Sequence, residues 1–194
     1  MAEVSIRDAS GSPSASESMP GWFGLWLEDF RTHQCKLFEQ GFWAIRVHRF
    51  GRRIQKIRPR LLRAPFSLVY LAAVRIVQWT CGISIHPAVE LGRRVRIWHH
   101  SGIVITAVRI GNDVHIRQNT TIGSRRASEP DHLPVIEDRV DIGSGACILG
   151  NITVGHDSVI GANAVVLENV PPCSVAVGVP ARAVPRSSGI KPGA

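Results

Sequence analysis

Aliphatic residues recur at every sixth position through most of the second half of the chain. An α-helix repeats near 3.6 residues and a half-buried strand near 2, so neither explains this spacing. A period of six fits a chain that turns a corner every six residues and buries one aliphatic side chain on each flat face. Three faces then make a coil of about eighteen residues, and stacked coils bury a continuous aliphatic column. The positions in register are Ile85, Leu91, Ile97, Ile103, Ile110, Ile116, Ile122, Ile136, Ile142, Ile148, Val154, Ile160 and Val166.

The repeat predicts a mainly β fold of stacked three-faced coils, a parallel β-helix over residues 83–184. Residues 124–134 interrupt the repeat, and residues 170–184 are expected to be extended. A β-sandwich with chance spacing is the alternative, and thirteen aliphatic residues in register disfavour it. Glycines follow many repeat positions, and we expect them to take corner angles that other residues resist. They are Gly92, Gly111, Gly123, Gly143, Gly155 and Gly161.

Residues 21–82 carry apolar side chains at spacings of three and four, which predicts an N-terminal α-helical cap. Gly41 and Pro59 are expected to punctuate this cap. A third helix over 66–80 is expected to enter the β-helix at Gly82.

The two ends of the chain are polar. The Ser-rich residues 1–20 predict a disordered tail without the apolar stretch of a signal peptide, and residues 185–194 predict a second tail. The apolar run 66–83 is broken by Arg75 and is too polar to predict a membrane span. The 4 cysteines form no CxxC pair and are expected to be free thiols of a cytoplasmic protein.

The net charge of +8 is concentrated in the helical region. Segment 41–82 holds nine Arg or Lys and no Asp or Glu, whereas 83–194 holds eleven basic and nine acidic residues. A solvated face on the cap is the preferred interpretation of this basic segment. A peripheral contact with the anionic inner face of a membrane is the alternative. Nucleic acid is disfavoured because no recognition motif accompanies the charge.

Two adjacent histidines, His99 and His100, lie between the repeat positions Ile97 and Ile103 in "IWHHSGI" (97–103). Histidine is the usual general base for removing the proton of a hydroxyl group. From the residues alone, a catalytic base and a surface histidine at a coil corner are equally good interpretations of His99. A metal site is disfavoured because no His, Cys or Asp cluster has ligand spacing.

Several motifs together resemble the serine acetyltransferase family of hexapeptide-repeat acyltransferases. They are the hexapeptide repeat itself, "GVPAR" (178–182), "GFWAIRVHR" (41–49) and "GISIHP" (82–87). The resemblance covers residues 22–184 and implies a homotrimer of left-handed parallel β-helices that transfers an acetyl group from acetyl-CoA, without a metal. It also implies that His99 is the catalytic base and that His100 occupies an alanine position. The residues that the resemblance places beside acetyl-CoA are Gly123, Ser124, Ser144, Gly145, Ala162, Asn163 and Arg182.

The chain departs from the family at the positions that hold serine. The acidic residue before the catalytic histidine is Trp98 here, and the acidic residue that orients this histidine is Ser84. The family's loop arginine and histidine fall on His132 and Leu133. Its acidic residue in the helical region has only Asp29 as a candidate.

These departures predict an acceptor other than serine, because serine is a zwitterion that needs both an acidic and a basic partner. Trp98 offers an aromatic face of the kind that binds sugar rings. "RQNTTIG" (117–123) with the histidine pair resembles an exopolysaccharide, colanic-acid-type branch of the family, whose acceptor is a sugar hydroxyl, free or lipid-linked. The expected acceptor-binding residues are Trp98, His100, Asp131 and His132.

Two alternatives remain open. The first is a serine O-acetyltransferase of cysteine biosynthesis, which would turn over free serine. The second is a non-catalytic β-helix that serves as a scaffold or binding module, which would neither bind acetyl-CoA nor depend on His99.

Overall fold

The computed structural model describes residues 21–126 and 128–186. The predicted tail over 1–20 and residues 187–194 of the second tail lie outside the described residues. Three helices precede the strands, namely α1 (Trp22–Thr32), α2 (Gln40–Ile54) and α3 (Arg60–Cys81). The strands are β1 (Ile83–Ile85), β2 (Glu90–Leu91), β3 (Arg96–Ile97), β4 (Ile103–Ile105), β5 (Arg109–Ile110), β6 (His115–Ile116), β7 (Thr121–Gly123), β8 (Val135–Ile136), β9 (Asp141–Ile142), β10 (Cys147–Leu149), β11 (Thr153–Val154), β12 (Val159–Ile160), β13 (Val165–Val166), β14 (Ser174–Gly178) and β15 (Ala181–Pro185).

The strands form three parallel sheets, as the sixfold repeat predicts. Sheet A has the order β1-β4-β7-β10-β13, and sheet B the order β11-β8-β5-β2. Sheet C has the order β15-β14-β12-β9-β6-β3, in which only the final β14–β15 pair is antiparallel. Successive strands along the chain therefore visit the three sheets in turn, which makes a parallel β-solenoid of about 5 turns. The extended conformation predicted for 170–184 is confirmed by the β14–β15 pair.

The repeat residues form the core of the solenoid. Ile97 and every later repeat position are buried, whereas Ile85 and Leu91 in the first coil are partly buried. The strand register stacks them, with Ile160 beside Ile142 and Ile148 beside Val166. The aliphatic column predicted from the sequence is confirmed.

The glycines that follow the repeat positions serve a different purpose from the one predicted. The residues with left-handed angles at the corner between sheets B and C are Arg94, Asp113, Arg139, Asp157 and Cys173, with φ between 53° and 59°. The glycines instead leave room for the neighbouring coil. A Cβ at Gly143 would lie 2.6 Å from the amide nitrogen of Ala162, and one at Gly92 would lie 2.4 Å from the carbonyl oxygen of Gly111. Gly123 is an exception, because a Cβ there would meet no atom closer than 3.9 Å.

The helical cap is joined to the first coil by a buried ion pair. The Asp29 carboxylate of α1 is fully buried and accepts hydrogen bonds from Arg46 Nη1 at 3.1 Å and Arg49 Nε at 2.9 Å on α2. Arg49 Nη2 also donates to the carbonyl oxygen of Gly92 at 2.7 Å. Separating the partners would leave an uncompensated buried charge, which is energetically costly. This cluster therefore holds α1 and α2 against the solenoid.

Two of the predicted helix boundaries are wrong. Gly41 lies inside α2, where a Cβ would come 2.6 Å from the carbonyl oxygen of Ile97, so it permits close contact with β3 rather than a break. The third helix begins at Arg60 rather than at residue 66, directly after Pro59. Its end at Gly82 is confirmed, since this residue caps α3 with φ of 62° and donates its N–H to the carbonyl oxygen of Gln78.

Candidate active site

A tight turn between β3 and β4 carries the two histidines. His99 has φ of 61° and Ser101 has φ of 90°, both in the left-handed region that is unfavourable for side chains other than glycine. Two backbone hydrogen bonds hold the turn, from Ser101 N to the carbonyl oxygen of Cys81 at 2.8 Å and from Asn119 N to the carbonyl oxygen of Ser101 at 3.0 Å. The turn presents the side chains of His99 and His100 to solvent.

The turn borders a cavity of about 730 Å³ between the helical cap and the first coil. The connection between α1 and α2 forms one wall, and β3 with its following turn forms the other. Trp98, His99 and His100 all line this cavity. The lining residues are Phe30, Gln34, Cys35, Lys36, Leu37, Phe38, Glu39, Gln40, Arg96, Trp98, His99 and His100.

Trp98 does not offer the open aromatic face that the sequence predicts. The guanidinium carbon of Arg96 lies 3.4 Å from the centre of its ring, and the edge contact with His115 has a centroid distance of 5.8 Å. The cation therefore occupies a face that a sugar ring would need. The indole Nε1 is buried with no hydrogen-bond partner among the described residues.

Arg96 and Glu39 place charges of both signs on the cavity wall. Arg96 Nε is buried and lacks a hydrogen-bond partner within the described part of the chain. Burial lowers the pKa of Arg96, and the Glu39 carboxylate opposes this shift. Lys36 Nζ lies 3.9 Å from Glu39 Oε1, so the acidic side is shared with a second cation. The cavity thus holds donors for a carboxylate and an acceptor for an ammonium group.

Two other candidate partners of the site are engaged elsewhere. Ser84 accepts a hydrogen bond from Gln78 Nε2 at 3.4 Å. Asp29, the candidate for the family's acidic residue in the helical region, is sealed between Arg46 and Arg49 and does not line the cavity.

Within a single chain Asp131 and His132 lie away from the cavity that holds Trp98 and His100. They belong to the 124–134 loop, which leaves the solenoid between β7 and β8, at the corner between sheets A and B. His99 lies between β3 and β4, at the corner between sheets C and A. His132 is exposed, with its Nδ1 3.2 Å from Glu129 Oε2. A single chain therefore keeps the loop and His99 on different edges.

Apart from Arg182, the predicted cofactor residues fall on the same two edges. Ser144, Gly145, Ala162 and Asn163 stack below His99 at the C–A corner, where Asn163 N donates to the carbonyl oxygen of Ser144 at 2.8 Å. Gly123 and Ser124 lie at the A–B corner with the loop. Arg182 is exposed on β15, 3.7 Å from Glu168 Oε2. One chain does not bring these residues into a single groove.

The structure brings together a group that sequence spacing did not predict. Ligand atoms of His156, Asp157 and Cys173 lie within 4.8 Å of one another at the B–C corner. Arg139 Nε and Nη2, however, donate to the Asp157 carboxylate at 2.7 and 2.6 Å, and these bonds lower its pKa to about 2. This carboxylate is already neutralised by Arg139, which disfavours a metal ion at this place.

Sequence reasoning missed Arg96 and Glu39. Arg96 lies two residues before Trp98, and strand alternation places both on the outer face of sheet C, so a signal for it existed. Residues 33–39, which include Glu39, connect two helices and have no periodicity from which their position could be inferred.

Comparison with known proteins identifies the family, although no protein-family profile matches the chain. The serine acetyltransferase of Escherichia coli strain K12 is 42% identical over 158 residues, which cover 80% of this chain and 55% of that protein. The soybean serine acetyltransferase apoenzyme superposes with a TM-score of 0.72 at 34% identity, covering 83% of this chain and 68% of that one. The chain belongs to the serine acetyltransferase family.

Other members of the serine acetyltransferase family have been solved with ligands. The soybean enzyme is known in complex with serine. The enzyme of Brucella abortus strain S19 in complex with coenzyme A has a TM-score of 0.72 at 30% identity, covering 86% of this chain and 69% of that one. This chain spans about half the length of the curated relatives that it matches. None of these comparisons points to the exopolysaccharide branch that the sequence analysis favoured.

Proposed function

We propose that the protein is an acetyl-CoA-dependent O-acetyltransferase whose acceptor is the hydroxyl of serine. The observation that carries this proposal is the cavity in which His99 lies with Arg96 and Glu39. The ligands of the family structures, serine and coenzyme A, support the same pair of substrates.

His99 acts as the general base in this mechanism. Its imidazole removes the proton of the acceptor hydroxyl while the oxygen attacks the thioester carbonyl carbon. A bond forms between the acceptor oxygen and the acetyl group, the carbon–sulfur bond breaks, and the imidazolium returns the proton to the leaving thiolate of CoA. The exposed position of His99 on a rigid turn leaves its ring accessible to both substrates.

Arg96 and Glu39 replace the charged partners that the chain lacks elsewhere. A guanidinium binds a carboxylate through directed N–H donors, and Arg96 is held flat on Trp98 only three residues before His99. Glu39 supplies a carboxylate for the ammonium group of the acceptor. The argument against serine that rested on Trp98, Ser84 and His132 therefore loses its force, because the chain meets the same need with other residues.

The acetyl-CoA groove requires more than one copy of the chain. Ser144, Gly145, Ala162 and Asn163 share an edge with His99, whereas Gly123, Ser124 and the 124–134 loop lie on another edge. A threefold arrangement brings one edge of each copy against the other edge of its neighbour. In such a homotrimer Asp131 and His132 of one copy approach His99 of the next, and Arg182 contributes to the phosphate end of the cofactor.

A sugar hydroxyl is the second candidate acceptor. Trp98 stands where the family has an acidic residue, and this substitution favours an acceptor that carries no ammonium group. Arg96 covers one face of this ring, however, so we rank the sugar below serine.

The test follows CoA release from acetyl-CoA with serine and with a panel of nucleotide-linked and lipid-linked sugars. The Arg96→Gln variant is compared with Arg109→Gln, which removes an exposed arginine on sheet B. We expect turnover of serine and a rise of about tenfold or more in the KM for serine in Arg96→Gln only. Turnover of sugars without serine would make the second candidate correct. Absence of turnover together with absence of acetyl-CoA binding would favour the scaffold alternative.

A further inference from the structure

Helix α3 leaves most of its large apolar side chains on its outward face. The face that packs on α2 is mixed and includes Tyr70, Val74, Val77 and Gln78. The outward face carries eight large apolar side chains, all exposed in the chain. They are Leu61, Leu62, Phe66, Leu68, Val69, Leu71, Ile76 and Trp79.

This exposure is larger than scattered apolar residues on a protein surface explain. Leu61 is 91% exposed and Trp79, nearly five turns further along, is 83% exposed. Between them Arg75 is the only charged residue on the outward face. A continuous apolar patch of this extent marks a surface that binds a protein or a membrane.

Basic residues surround the start of this face. Lys56, Arg58 and Arg60 are exposed in the connection from α2 and at the first residue of α3. The whole segment 41–82 contains nine basic residues and no acidic one. A second copy of the chain would bring the same positive charges against them, whereas an anionic lipid surface offers the opposite charge.

We propose that the outward face of α3 binds the surface of an anionic lipid bilayer, with the basic connection 55–60 among the headgroups. The apolar side chains enter the boundary between headgroups and acyl chains, and Trp79 takes the interfacial position that tryptophan favours. This inference concerns a surface separate from the cavity and does not depend on the proposed function.

The geometry indicates that α3 lies in the plane of the bilayer surface. Among the described residues α3 alone is long and apolar enough to cross a membrane, by length and composition. Its inner face, however, packs closely on α2, where a Cβ at Gly51 would lie 2.3 Å from the ring of Tyr70. Val77 and Cys81 belong to the protein core, and Arg75 interrupts the apolar face. A spanning orientation would separate α3 from these contacts.

The test is cosedimentation of the purified full chain with vesicles of phosphatidylcholine, alone or mixed with phosphatidylglycerol. We expect binding to the mixed vesicles that falls with added salt. Leu62→Ser with Leu68→Ser should weaken this binding about tenfold or more. The matched control, Val177→Ser with Val184→Ser, removes two exposed aliphatic side chains at the opposite end of the solenoid and should leave binding unchanged.

A second pair of variants tests the charge. Arg58→Gln with Arg60→Gln should weaken binding about 25-fold, since each basic residue near an anionic surface contributes about fivefold. Arg31→Gln with Arg109→Gln removes the same charge from α1 and sheet B and should have little effect. These residues are exposed, so the variants are expected to fold, and circular dichroism checks this.

Three outcomes would overturn the proposal. The first is equal binding to neutral and mixed vesicles, or no binding to either. The second is binding that resists high salt and alkaline carbonate, which would indicate a spanning helix. The third is that the double variant Leu62→Ser with Leu68→Ser changes the sedimentation of the lipid-free protein but not its vesicle binding. That result would identify the face as a contact between copies of the chain.

Discussion

His48 is a buried neutral histidine between α2 and the first coil. Its Nε2 lies 3.1 Å from the carbonyl oxygen of Val89, which identifies this nitrogen as the donor. Burial lowers its pKa to about 4, against the opposing effect of the Val89 hydrogen bond and with help from Arg49 and Arg52. The side chain therefore stays neutral in the fold at a pH where it is charged in the unfolded chain.

This difference predicts how stability depends on pH. As pH falls below about 6.5, the unfolded chain binds a proton at His48 and the folded protein does not, so the free energy of unfolding decreases. The decrease stops near pH 4, where the folded protein also binds the proton, and its total is about 3 kcal/mol. Urea unfolding of the wild type and of His48→Gln between pH 7 and 4 measures it. The wild type should lose more stability than the variant, and His132→Gln, at an exposed position, should behave as the wild type. Parallel curves for the wild type and His48→Gln would contradict the account.

At the scale of the coil, the spacing between turns depends on glycines that contact the next turn. Gly143 precedes the edge with Ser144 and Gly145 and faces the backbone of residues 160–162. Gly123 also directly follows a repeat position, but a Cβ there would meet only Thr106, at an ordinary contact distance of 3.9 Å. The two glycines look alike in the sequence, but the neighbouring coil approaches Gly143 much more closely than Gly123.

This contrast gives a matched pair of substitutions. Gly143→Ala should lower the free energy of unfolding by about 1–3 kcal/mol, because its Cβ would meet backbone atoms that have little freedom to move. Gly123→Ala should change it by less than about 0.5 kcal/mol. Chemical denaturation measures both, and equal losses would show that space between the coils is not what the glycines provide.

For the whole molecule, the two edges of the solenoid predict complementation between copies. Two variants damage different edges of the proposed shared site. His99→Ala alters one edge, and the double variant Asp131→Ala with His132→Ala alters the other. Trimers assembled from both variants contain some interfaces at which neither edge is altered. Co-refolding equal amounts should recover about a quarter of the wild-type rate, the statistical share of such interfaces. Failure to recover activity, with mixed trimers present, would show that each site is built from one chain.

The sequence alone is sufficient for the architecture and for part of the site. The sixfold period identifies the core, the coils and the turn that carries His99, because a buried aliphatic residue on every face is a strict geometric requirement. Strand alternation places Arg96 and Trp98 on one face, but their stacking could not be predicted, because it depends on side-chain conformation. Glu39 and the wall of residues 33–39 depend on how α1 and α2 dock, and the sequence of a non-periodic connection does not encode that docking in a readable pattern. The role of the glycines could not be predicted either, because it depends on how closely the neighbouring coil approaches each of them.

In the proposed mechanism His99 removes the proton of the acceptor hydroxyl. This role is tested by the kcat/KM for CoA release from acetyl-CoA and serine in His99→Ala, with His100→Ala as the neighbouring control. We expect a loss of about 10²–10⁴-fold in His99→Ala and of less than about tenfold in His100→Ala. Wild-type activity in His99→Ala would exclude His99 as the base.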